Sequence, residues 1–114
     1  MRFQIAFRPP HKLAALLIMA MFLFAAPVFA ADGDFERGLK LYQSGAFEKA
    51  AGAFKGAVAG DPDSANSYFY LGLSLYKLDR FAAAGAAFDR VIALDPAYGA
   101  ALLFRGMSHQ ADGA

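Results

Sequence analysis

The feature that most constrains this chain is its resemblance to itself at a spacing of 34 residues. Laid over residues 65–98, residues 31–64 give 13 identities in 34 positions, where chance gives only a few. The identities include Phe35/Phe69, Gly38/Gly72, Leu39/Leu73, Leu41/Leu75, Tyr42/Tyr76, Phe47/Phe81, Ala50/Ala84, Phe54/Phe88 and Pro62/Pro96. A third copy starts at Gly99, keeps Gly106 and runs to Ala114. A period of this length marks one supersecondary unit that buries its apolar face only by stacking on its neighbours. The expected organisation is repeat 1 over 31–64, repeat 2 over 65–98 and the first helix of repeat 3 over 99–114.

Each unit reads as two helices. In the second, "ANSYFYLGLSLYKL" carries Tyr68, Phe69, Leu71, Leu75, Tyr76 and Leu78 at helical spacing. Asp79-Arg80 breaks the run, and "FAAAGAAFDRVIAL" puts Phe81, Ala84, Phe88, Val91 and Ile92 on one stripe. Asp95-Pro96 closes that helix, because proline disfavours helical backbone at the residue before it. In the first unit, Ser44-Gly45 reads as a helix end, since glycine accepts the left-handed conformation there. "GDPDS" reads as a loop, with Asp63 or Ser64 as the next N-cap. No stretch alternates with period two, so the expected class is all-α.

Packing follows from residue size. Gly38, Gly72 and Gly106 read as places where two helices approach too closely for a side chain, with Ala50 and Ala84 as small partners on the second helix. Phe47/Phe54 and Phe81/Phe88 are two turns apart, so each pair shares a face.

The formal charge of +1 hides an asymmetry. Residues 1–30 contain Arg2, Arg8 and Lys12 and no acid, whereas residues 31–114 contain eight Lys/Arg and ten Asp/Glu, a net of −2. The mildly acidic body argues against nucleic-acid binding, which wants a basic stripe. The basic start, the apolar run Leu13–Ala26 and the closing "PVFA" form a three-part secretory leader, with cleavage expected after Ala30. The location implied is periplasmic or secreted, in a Gram-negative type of envelope. The alternative is an uncleaved inner-membrane anchor over residues 13–30, with the basic residues on the cytoplasmic side. That anchor is the only route by which a membrane enters as a partner. With no cysteine there is neither a disulfide framework nor a thiolate metal site.

The pattern resembles the tetratricopeptide repeat, a 34-residue helix–turn–helix unit reading W-x2-L-G-x2-Y, then A-x3-F, then P. The second unit matches at Tyr68, Leu71, Gly72, Leu75, Ala84, Phe88 and Pro96. The first matches at Gly38, Leu41, Ala50, Phe54 and Pro62, and departs at Asp34 and Arg37, where an aromatic residue and a leucine are expected. The third has Leu102, Arg105, Gly106 and His109. The resemblance implies about two and a half repeats stacked as a short right-handed α-solenoid. It also implies a binding function, with the first helices lining a concave groove for a peptide or a protein helix.

Carried over position by position, the groove set is Phe35, Leu39, Tyr42 and Gln43 from the first unit. The second contributes Asn66, Phe69, Leu73, Tyr76 and Lys77, and the third Leu103, Met107 and Gln110. Phe35, Leu39 and Leu73 occupy the places of the Lys/Asn/Arg clamp with which some members hold a C-terminal carboxylate, so apolar peptide or helix recognition is the expectation. The same stripe also reads as core, or as a surface for a second copy.

Catalysis finds no support in these residues. His109 is the one histidine behind the leader, with Asp112 as its nearest acid, and no nucleophile motif, phosphate-binding loop or dinucleotide fingerprint occurs. Asp32, Asp34 and Glu36 lack the spacing of a calcium loop and suit a helix N-terminus. No enzyme activity, metal or cofactor is expected. The partner is a protein, a peptide or a second copy.

The last helix sharpens the question of partners. Leu102, Leu103, Phe104 and Met107 spread over more than one face, and only one face can pack on Phe81–Leu94. Burying a large apolar side chain is worth about 1.5–3 kcal/mol, so leaving several wet is costly for a small domain. The expectation is self-association, partner capture, or a truncated N-terminal piece of a larger cell-envelope scaffold.

Overall fold

The computed structural model describes residues 33–113. They form five α-helices and, among the described residues, no strand. These are α1 (Asp34–Gln43), α2 (Phe47–Gly60), α3 (Ala65–Lys77), α4 (Phe81–Leu94) and α5 (Gly99–Gly113). Each helix packs chiefly on its neighbours in sequence, with lesser contact between α1 and α3 and between α3 and α5. This is the stacked, all-α repeat architecture. The proposed leader and its cleavage site lie outside the described residues.

The helix ends repeat as closely as the helices do. α1 closes on Gly45 at φ +82°, where the Gly45 N–H donates to Tyr42 O and the Ala46 N–H to Leu41 O. α3 closes on the same pair of bonds, Asp79 N–H to Tyr76 O and Arg80 N–H to Leu75 O, with Asp79 at φ +60°. Both ends satisfy carbonyls that the helix leaves open. Ser64 caps α3, its Oγ accepting from the Ser67 N–H at 3.3 Å. The two Asp-Pro loops each hold an Asx turn: Asp61 Oδ1 accepts from the Asp63 N–H at 3.2 Å, and Asp95 Oδ1 from the Ala97 N–H at 3.1 Å.

The core is a seam of small residues crossed by rings. Ala50, Phe54, Ala84, Phe88, Val91 and Ala101 are fully buried. Phe54 stacks on Tyr70 with centroids 5.7 Å apart, and Phe88 stacks on Phe104 at 5.8 Å, the same contact one repeat on. Phe35–Phe54 and Phe69–Phe88 repeat likewise at 5.8 Å. The buried hydroxyls of Ser74 and Ser108 donate to Tyr70 O and Phe104 O, so no buried side-chain polar atom among the described residues is left without a partner.

The three glycines of the repeat position do not behave alike. A Cβ at Gly38 would lie 2.6 Å from the Phe54 ring, and a Cβ at Gly72 would lie 2.6 Å from the Phe88 ring. Gly106 departs from expectation: nothing lies within 4 Å of its Cβ position. The reason is that the filling phenylalanine comes from the helix after the glycine, and no described helix follows α5.

Candidate functional site

The residues expected to line a groove fall into three groups once the chain is folded. Phe69 is buried at 8% exposure, in ring contact with Tyr70, Phe88, Tyr98 and Phe104. Buried among these rings, it offers little contact area to a partner, unlike the exposed position expected for it as a groove-facing residue. The cause is the aromatic partner at position 104, which closes over it from α5.

Phe35, Leu39, Tyr42, Leu73 and Tyr76 are half-buried and pack against the core with part of each side chain in water. Tyr42 leans edge-on against Phe47 at 5.3 Å, and Tyr76 against Phe81 at 5.2 Å. These rings tie the first helix of each repeat to the second. Burial, then the neighbouring Tyr70, pushes the Tyr42 phenol above its ordinary range.

Gln43, Asn66, Lys77, Leu103, Met107 and Gln110 are exposed. Leu103 is 62% exposed and Met107 37%, high values for large apolar side chains. Asn66 is already engaged, since Tyr98 Oη donates to its Oδ1 at 3.0 Å.

Tyr76, Met107, Gln110 and Ala111 converge on one open recess of about 270 Å³ between α3 and α5. Three of these four belong to the expected set. Ala111 was missed, although the repeat points to it: it stands 34 residues after Lys77, which is in the set. The recess has an aromatic wall from Tyr76, a flexible thioether from Met107 and an amide at the rim from Gln110. Such a lining suits apolar contact with one oriented hydrogen bond, and it contains no acid–base pair or nucleophile for chemistry.

No cluster of three or more metal-ligating side chains occurs among the described residues. None of the described helices is long and apolar enough to cross a membrane.

No curated protein matches this chain. A family model does match, over residues 35–99, which is more than half of the 114-residue chain and spans the four helices that carry the repeated glycine–phenylalanine contact. By that match, and by the helix pairs that recur with it, the chain belongs to the tetratricopeptide repeat family.

Proposed function

We propose that this chain is an exported protein-interaction module whose concave side takes an apolar peptide or helix. Tetratricopeptide repeats serve generally as protein–protein interaction scaffolds. The observation that carries the finer reading is the recess of Tyr76, Met107, Gln110 and Ala111, on the same helix as the exposed Leu103. The Gln110 amide in its lining sets the register of a bound segment, and Gln43 and Lys77 offer further exposed polar groups on the first helices of the two preceding units. The leader-like order of residues 1–30, a basic start, an apolar run and a closing "PVFA", supports export.

The test is photo-crosslinking in cells that export the chain, with a benzophenone side chain at position 107 or 110. Discrete adducts are expected at both positions. None is expected at position 55, an exposed site on α2. Leu103→Asp should reduce the yield severalfold. Equal adducts at all three positions, or a yield indifferent to Leu103→Asp, would sink the reading. N-terminal sequencing of the same material tests export: a start at Ala31 supports a released module, and a start at Met1 an anchored one.

A second reading is self-association, or membership of a longer envelope scaffold. It draws on Leu102, Leu103 and Met107, the large apolar side chains left exposed among the described residues. The mass of the chain in solution separates the readings, since a stable dimer without other ligand favours the second.

A further inference from the structure

Tyr70 and Phe104 hold the same place in successive repeats, 34 residues apart. Each stacks on the phenylalanine of the helix before it, Tyr70 on Phe54 at 5.7 Å and Phe104 on Phe88 at 5.8 Å. A ring fills this slot, and Phe104 shows that packing there asks for no hydroxyl. The Tyr70 hydroxyl, like that of Tyr42, has no hydrogen-bond partner among the described residues. No buried side-chain polar atom among them is left unsatisfied, so these two hydroxyls are ones that water reaches.

Three phenols share this part of the molecule. The Tyr42 and Tyr70 rings meet edge to face at 5.9 Å. Tyr98 joins them through Phe69, whose ring lies 4.9 Å from Tyr98 and 5.7 Å from Tyr70. Burial, and then Tyr70, raises the phenols of both Tyr42 and Tyr98, with Asp95 adding to the effect at Tyr98. The Tyr98 hydroxyl is already engaged, donating to Asn66 Oδ1 at 3.0 Å. That bond fixes the amide and leaves its N–H groups, on an exposed side chain, without a partner among the described residues. The patch thus offers tyrosine rings and three donor groups: the hydroxyls of Tyr42 and Tyr70 and the Asn66 amide.

Donors of this kind need acceptors. An α-helix spends its carbonyls within itself. A β-strand brings an N–H with every carbonyl, and the amide acceptor here is already taken by Tyr98. A polyproline II segment has solvated carbonyls, no N–H at its prolines, and a preformed backbone that docks in aromatic-lined grooves. Asp95, and the net charge of −2 over residues 31–114, favour a basic residue beside the prolines. We propose that Tyr42, Tyr70 and Asn66 form a docking surface for a proline-rich segment of a partner protein, with a lysine or arginine beside its prolines. The segment's carbonyls accept from the two phenols and the amide, and its basic residue pairs with Asp95. This deepens the peptide reading of the concave side and rests on it, while using residues apart from the recess at Tyr76 and Met107.

The test is fluorescence anisotropy of the full chain with a labelled peptide of about ten prolines ending in lysine. Saturable binding is expected, weakened about fivefold by Tyr70→Phe and by a similar factor by Tyr42→Phe, each the loss of one hydrogen bond. Tyr70→Phe should leave the melting temperature unchanged, because Phe104 fills the equivalent slot with a bare ring. Glutamate in place of the peptide's lysine should weaken binding. Asp95→Asn, which keeps the side-chain acceptor of the Asx turn, should narrow that difference. An absence of saturable binding overturns the proposal, as does binding indifferent to Tyr70→Phe. Equal binding of the lysine and glutamate peptides would overturn its charged half. A chito-oligosaccharide that binds through Tyr70 where the proline peptide does not would overturn it by giving the surface to a sugar. Failure of the proline peptide while crosslinks persist at positions 107 and 110 would leave the recess its partner and remove this assignment alone.

Discussion

Gly72 and Gly106 hold the same place in successive repeats and differ only in what stands opposite. Gly72→Ala drives a methyl group into the Phe88 ring, which is fully buried and has nowhere to retreat. It should cost about 1–3 kcal/mol despite alanine's better helix propensity. Gly106→Ala meets open space and should stabilise the chain by about 0.5–1 kcal/mol. Chemical denaturation of the two variants checks both signs. Asp79 offers a third case. Its φ of +60° is where Gly45 sits one repeat earlier, and a side chain there is strained. Asp79→Gly should therefore raise stability by about 0.5–1 kcal/mol, the strain relieved exceeding glycine's extra chain entropy. An unchanged denaturation midpoint would show that Asp79 is not strained. The left-handed end at Gly45 was legible from the residue itself. At Asp79 only the break in the helix was legible, because aspartate does not announce a positive φ.

At the scale of the helix, ring packing outweighs surface charge. Phe88 touches Phe69 and Phe104 and closes over Gly72, so Phe88→Ala removes contacts with α3 and α5 together. The expected loss is about 3–5 kcal/mol, a large share of what a small domain has. It should appear as loss of helical circular dichroism well below the parent's melting temperature. The Arg80–Glu48 ion pair spans neighbouring repeats with two hydrogen bonds, at 3.2 and 2.8 Å. Both side chains are about half exposed or more, so Glu48→Gln should cost less than about 1 kcal/mol. Helix identity and ends followed from period and turn residues. The burial of Phe69 did not, because a stripe at helical spacing cannot say which of its members a later helix will cover.

For the described residues as a whole, the first and last helices differ in what they expose. Positions 36 and 40 of α1 carry exposed Glu and Lys, where the equivalent Tyr70 of α3 is half-buried and Ser74 is buried. The α5 end instead leaves Leu102, Leu103 and Met107 in water. A pH dependence also belongs to the assembled stack. Burial, and then Tyr70, pushes the phenols of Tyr42 and Tyr98 above the usual 10.0, with Asp95 adding to the effect at Tyr98. Well below pH 10 these phenols are protonated whether the chain is folded or not, and stability does not depend on them. Above it the unfolded chain releases protons first, so stability falls as pH rises through the folded values. Urea midpoints should be level from pH 8 to 9.5 and decline beyond, and Tyr98→Phe should flatten part of the decline.

The 34-residue period, the glycine–phenylalanine register and the turn residues determined the repeat unit and its helices by themselves. These are local matters of spacing, size and backbone freedom, which a linear sequence records directly. The tertiary structure decided which equivalent positions are filled. Gly38 and Gly72 receive a ring and Gly106 does not, Phe69 is roofed while Leu103 stays wet, and Ala111 joins Tyr76 and Met107 at the recess. Identical residues have different surroundings because burial is set by the neighbouring helix, and among the described residues α5 has a following helix neither in sequence nor against its Gly106.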